Sequence, residues 1–227
     1  MGNQRLSGRR LKKKVSELLR SHDPDQGFER LLELPARQVI NSLFSFILSA
    51  DPQIHWPAVT AMGTVVARLA EQDMEPARVI MRRFMWQLND ESGGIGWGCP
   101  ESMGEATARH QGLAEEFSPV LISYIREDGN FLEYEPLQRG AVWGIGRLAQ
   151  DHPRLARSAY PHLLPLVEAS DAALRALAVW ALGWFGMPEA RSKIEHLFDD
   201  PSETEIFEDG RLQKIRIMDL IRRIDTR

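Results

Sequence analysis

The residues best suited to chemistry cluster in one stretch, Asn89-Asp90-Glu91-Ser92-Gly93-Gly94-Ile95-Gly96-Trp97-Gly98-Cys99-Pro100-Glu101-Ser102-Met103-Gly104-Glu105. Glycines lose the most conformational freedom on ordering, so spending several around one tryptophan implies that something holds this loop in place. The stretch is not a dinucleotide-binding fingerprint, because no strand precedes it and the third glycine is missing. It also lacks the Gly-Lys-Ser/Thr ending of a phosphate-binding loop. Cys99 sits at the start of a helix opened by Pro100, where free amides and the helix dipole favour a thiolate. Glu101 beside it opposes that effect and no histidine is near in sequence, so an ordinary cysteine is the preferred reading. Glu101 and Glu105 are four apart and share a helix face, as paired metal ligands would. His110 lies nine positions beyond Glu101, about half a turn out of line, so no three-ligand site forms on this helix alone. An i,i+4 ion pair of Glu105 with Arg109 is preferred. The expected role of Asn89, Asp90, Glu91, Trp97, Cys99, Glu101 and Glu105 is therefore to contact a partner or ligand. Trp97 is the hot spot and the acidic residues form its rim, which suits a basic protein partner. The competing reading is an insertion that folds back and buries Trp97.

The elements that must position this loop are repeats. Ala141-Val-Trp-Gly-Ile-Gly-Arg-Leu148 and Ala178-Val-Trp-Ala-Leu-Gly-Trp-Phe185 align without a gap, 37 residues apart. That offset lies in the range where internal repetition marks stacked helical units. Ala58-Val-Thr-Ala-Met-Gly63 aligns with Ala178 to Gly183 at an offset of 120, leaving room for about three units between. The second matched segment is apolar around nearly its whole circumference, as a middle layer needs to be.

Apolar spacing predicts an amphipathic basic helix over 6–19, a helix from Pro35 to Leu48, and repeat helices over 58–69 and 75–88. Further helices are expected over 101–117, 120–125, from Glu135, over the second matched segment, from Pro188 to Phe198, and from Lys214 to Ile224. A small hairpin is expected near 205–213, around Asp209-Gly210. The organisation read from this is one repeat domain over 1–227. Capping helices fill 1–50, repeats with the inserted loop 89–100 fill 51–199, and a C-terminal cap fills 200–227. Formal charge is −4, from 28 Lys and Arg against 32 Asp and Glu, so no global basic field draws the chain onto nucleic acid. One cysteine excludes an intramolecular disulfide framework and makes the cytoplasm the expected compartment. No apolar run approaches the ~20 residues a bilayer span needs, and no signal-peptide core is seen.

Helix pairs at this period, with Ala and Gly where backbones approach and Asp-Pro or His-Pro at the joints, resemble HEAT repeats of the phycobilisome lyase kind. The likeness is best over Asp171-Ala-Ala-Leu-Arg-Ala-Leu-Ala-Val-Trp-Ala-Leu-Gly183. It implies an all-α solenoid, a right-handed superhelix of about five helical pairs. It does not fix function, since such solenoids serve as partner-binding scaffolds, bilin lyases, iron hydroxylases and DNA glycosylases alike. The hydroxylases use repeated His-Glu dipeptides, and none of His22, His55, His110, His152, His162 and His196 is followed by glutamate. A glycosylase would need a basic groove, but the central repeats are acidic. The leading expectation is thus a non-enzymatic scaffold without cofactor or metal. The alternative is a lyase- or hydroxylase-like enzyme or cofactor binder using Glu91, Cys99, Glu101 and Glu105 in the same pocket.

Overall fold

Asp and Pro at the joints set the helix starts. In the computed structural model, which describes residues 8–21, 23–89, 96–186 and 188–224, Asp23 accepts a hydrogen bond from the Gln26 amide and Asp51 from that of Gln53. Asp73 and Asp171 cap their helices in the same way. Each satisfies a first-turn amide that has no partner within its helix. The helices are α1 (Gly8–Leu19), α2 (Pro24–Leu32), α3 (Ala36–Phe46), α4 (Pro52–Gln72), α5 (Met74–Leu88), α6 (Cys99–Arg109) and α7 (Gln111–Ser123). They continue with α8 (Glu135–Asp151), the short turns α9 (Pro153–Ala156) and α10 (Tyr160–Leu163), α11 (Ala172–Leu182) and α12 (Pro188–Ile194). Strands β1 (Glu203–Glu208) and β2 (Arg211–Arg216) and the helix α13 (Ile217–Ile224) complete the described chain. Among the described residues no helix is long and apolar enough to cross a membrane.

Helices α4, α6, α8 and α11 stack side by side as an inner row, while α3, α5, α7 and α9 pack behind them. The first matched segment lies in α8, the second spans the end of α11 and the turn after it, and the earlier match Ala58–Gly63 lies in α4. Small residues let this row close up. A Cβ on Gly104 of α6 would fall 2.6 Å from the Gly144 carbonyl oxygen of α8, and one on Gly63 of α4 only 2.9 Å from the Glu105 backbone. Bulkier residues there would force the layers apart.

Several local expectations needed correction. Asp23-Pro24 opens an additional helix, α2, instead of only closing α1. The expected helix over 101–117 breaks at His110, whose backbone is extended (φ −143°, ψ 116°) and whose Nδ1 accepts the Leu113 amide. Pro119 lies inside α7 and starts no new helix, because the first turn of α7 already begins at Gln111. The last helix starts at Ile217, because Lys214 to Arg216 belong to β2.

The hairpin forms where expected. Glu208 pairs with Arg211 across Asp209 (φ 52°) and Gly210 (φ 74°), the left-handed two-residue turn that matches strand twist. Its position could not be read from the turn. β1 packs against α11, and its Phe207 carbonyl accepts the Trp143 indole N–H at 2.8 Å. Glu208 accepts the Trp180 indole N–H at 2.9 Å and pairs with Arg223 at 3.1 Å. Phe207 stacks on Trp56 at 4.7 Å, and Trp143 stacks near Trp180 at 6.3 Å. Tryptophans of α4, α8 and α11 thus form one aromatic ladder closed by the hairpin.

Candidate functional site

Three inner helices begin with proline in the first turn, Pro52 in α4, Pro100 in α6 and Pro136 in α8. Their starts converge on a cleft of about 420 Å³ lined by Pro52, His55, Trp56, Trp97, Gly98 and Glu101, with Tyr134, Pro136 and Leu137 opposite. Gly98 adopts φ +73° as the residue before α6, with a virtual Cβ only 2.6 Å from the Ile47 carbonyl oxygen. No side chain fits that position, so this glycine fixes how Trp97 enters the cleft.

At the floor stands Glu101. Its side chain is 12% exposed, and its Oε2 has no hydrogen-bond partner among the described residues. Oε1 lies 4.0 Å from His55 Nε2, too far for a hydrogen bond. His55 Nδ1 donates to the Ile47 carbonyl at 2.7 Å; the carbonyl can only accept, so this nitrogen carries hydrogen and Nε2 is the one turned to Glu101. Burial pushes the Glu101 carboxyl above the ordinary carboxylate range, against the opposing influence of His55. Gly140 of α8 leaves the space the carboxyl occupies, since a Cβ there would fall 2.6 Å from Oε1. The indole N–H of half-buried Trp97 likewise has no partner among the described residues. Tyr134, 52% exposed, stands at the rim.

The residues singled out in the sequence divide into three groups. Trp97 and Glu101 line the cleft. Cys99 is fully buried beneath it, its thiol donating to Gln87 Oε1 at 3.1 Å. Burial, helped by Glu101, drives the Cys99 thiol far above its usual range, so desolvation outweighs any activation from the helix start. Glu105 is also buried, but faces away into an ion-pair network, accepting Arg147 Nε at 2.8 Å and Arg109 at 3.3 Å. The i,i+4 pair with Arg109 therefore forms, with Arg147 of α8 as a second and closer partner. Asn89 is exposed at the end of α5, while Asp90 and Glu91 lie outside the described residues. Among the described residues no three His, Cys, Asp or Glu side chains gather as a metal site.

Sequence reading missed His55, Tyr134, Pro136, Leu137 and the space at Gly140. The available signal was the recurrence of first-turn proline in equivalent helices, which aligns their starts at one edge of the row.

A family model described as HEAT repeats matches residues 118–207, from α7 to β1. It describes HEAT repeats in general and does not carry the phycobilisome lyase distinction. The chain is 24% identical over 186 residues to an uncharacterized protein of Archaeoglobus fulgidus, covering 80% of this chain and 92% of that one. Among solved structures it is similar to an engineered protein from a structural genomics consortium. That match has a TM-score of 0.51 at 14% identity, over 95% of this chain and 96% of the other. It is also similar to a designed armadillo repeat protein, with a TM-score of 0.50 at 15% identity over 94% and 98% of the two chains. At such identities the likeness concerns the fold, an α-solenoid of stacked helical repeats.

Proposed function

We propose that this chain is a non-enzymatic helical-repeat scaffold that receives a segment of a protein partner in the cleft between the starts of α4, α6 and α8. One observation carries the reading. Buried polar atoms of Trp97 and Glu101 without partners among the described residues stand within an apolar wall of Pro52, Pro136 and Leu137, next to an exposed tyrosine. Pockets with a mostly apolar lining and a few convergent polar groups are what binding sites require, and repeat solenoids present such surfaces to proteins. Truncating Trp97 to alanine should weaken binding by ~2 kcal/mol or more, as for a central aromatic anchor. The test compares, by quantitative mass spectrometry, the proteins retained from the native lysate by wild type, Trp97→Ala and Tyr134→Ala. Trp86→Ala serves as control because Trp86 is 66% exposed on α5, outside the cleft. A partner kept by the control and lost by both cleft variants supports the reading. Equal retention by all four proteins contradicts it.

A second reading is an enzyme or cofactor binder of the lyase or hydroxylase kind in the same cleft. It draws on the facing His55 and Glu101, since a buried carboxyl whose pKa is raised by burial, beside an imidazole, is a common acid–base arrangement. Purified protein carrying a stoichiometric chromophore or iron would favour it.

A further inference from the structure

Among the described residues three glutamate side chains are largely shielded from water, and two of them receive an arginine in exchange. Glu105 holds Arg147 and Arg109, and Glu208 holds Arg223 together with the Trp180 indole. Glu101 has no such cation. Among the described residues no lysine or arginine lines its cleft, His55 Nε2 stays 4.0 Å away, and Oε2 has no hydrogen-bond partner. Taking a carboxylate out of water is costly unless a charge-assisted hydrogen bond replaces the lost hydration. The chain keeps this cost where it could be avoided, and Gly140 on the neighbouring helix even leaves the carboxyl its space.

We infer that the missing cation comes from the partner: the cleft takes the side chain of a lysine or arginine, with Glu101 as its counter-charge. This rests on the cleft being the partner site. The apolar wall of Pro52, Trp97 and Leu137 suits the methylene stem such side chains bury behind their charged heads. The Trp97 indole N–H, without a partner among the described residues, can donate to a backbone carbonyl of the partner. Exposed Glu133 and Glu135 flank Tyr134 at the rim, and Glu135 is only distantly paired, 3.8 Å from Arg139. Both add negative potential along the approach.

The probes are N-acetyl-lysine methylamide, its arginine counterpart and the uncharged norleucine counterpart. Each is titrated at millimolar concentration while the Trp97 indole N–H resonance is followed. The lysine and arginine compounds should shift that resonance saturably, and norleucine should bind about tenfold more weakly or not at all. Glu101→Gln, which keeps the shape and mimics a permanently protonated acid, should weaken the cationic probes about tenfold while leaving the melting temperature equal or higher. Equal binding of norleucine, no saturable shift with either cation, or unchanged affinity in Glu101→Gln overturns the inference. The lysate comparison separates this failure from a wrong site. If Trp97→Ala loses the partner but Glu101→Gln keeps it, the cleft is the partner site and the cationic occupant is wrong. If both keep it, the site reading falls.

Discussion

The inner row carries two aromatic regions, the ladder on α4, α8 and α11 and the cleft at the starts of α4, α6 and α8, and they differ in how far their polar atoms are satisfied. In the ladder, Trp143 and Trp180 are each 2% exposed, and both indole N–H groups donate to β1. In the cleft, Trp97 is half-buried, its indole N–H lacks a partner among the described residues, and Glu101 beside it is a desolvated acid without a cation. Trp56 belongs to both, stacking on Phe207 and lining the cleft. Tryptophans of one helical stack are thus put to different uses. Where the chain closes a surface with its own hairpin, the aromatic residues hold the fold together. Where it leaves polar atoms unmatched, the stability given up is the expected sign of a binding surface.

The comparison breaks most visibly if the ladder proves dispensable. Trp143→Ala should cost about 3–5 kcal/mol of unfolding free energy in urea denaturation, because it empties a packed site and orphans the Phe207 carbonyl. Gly104→Ala should cost about 1–3 kcal/mol in the same assay, since its Cβ meets the α8 backbone at Gly144. In the cleft the order of effects reverses. Trp97→Ala should reduce partner binding by ~2 kcal/mol, with far-ultraviolet circular dichroism unchanged.

Glu101→Gln sharpens the contrast further. Because burial raises this carboxyl, its folded-state pKa lies above its unfolded value. Its stabilising influence is then full below the unfolded pKa and is lost as pH rises through the folded pKa. The variant should therefore gain stability relative to wild type across that window and stay the more stable of the two above it, as seen by melting curves at several pH values. The smallest change is expected from Trp86→Ala, within about 0.5 kcal/mol in stability, because that ring is exposed on α5.

Helix identity and stacking were legible because periodic apolar residues and an ungapped internal match report them directly. The hairpin was legible because Asp209-Gly210 is a strong turn signal. The break at His110 was hidden, since the apolar spacing runs on through it and only the imidazole capping the Leu113 amide marks the new start. The cleft was half legible. Trp97 and Glu101 stood out through the glycine-rich loop, but His55, Tyr134 and Leu137 come from other helices and meet only because three helix starts align. Cys99 and Glu105 carried the right chemistry in sequence, yet packing turned one under the surface and gave the other to Arg147. Spacing along one helix places residues on a face without saying which neighbour covers it.

The most direct measurement takes melting temperature and affinity for N-acetyl-lysine methylamide on the same Glu101→Gln sample at neutral pH. The variant should be at least as stable as wild type and bind the cationic probe about tenfold more weakly. A variant that binds as wild type does, or that loses stability, would show that Glu101 serves the fold and not a partner.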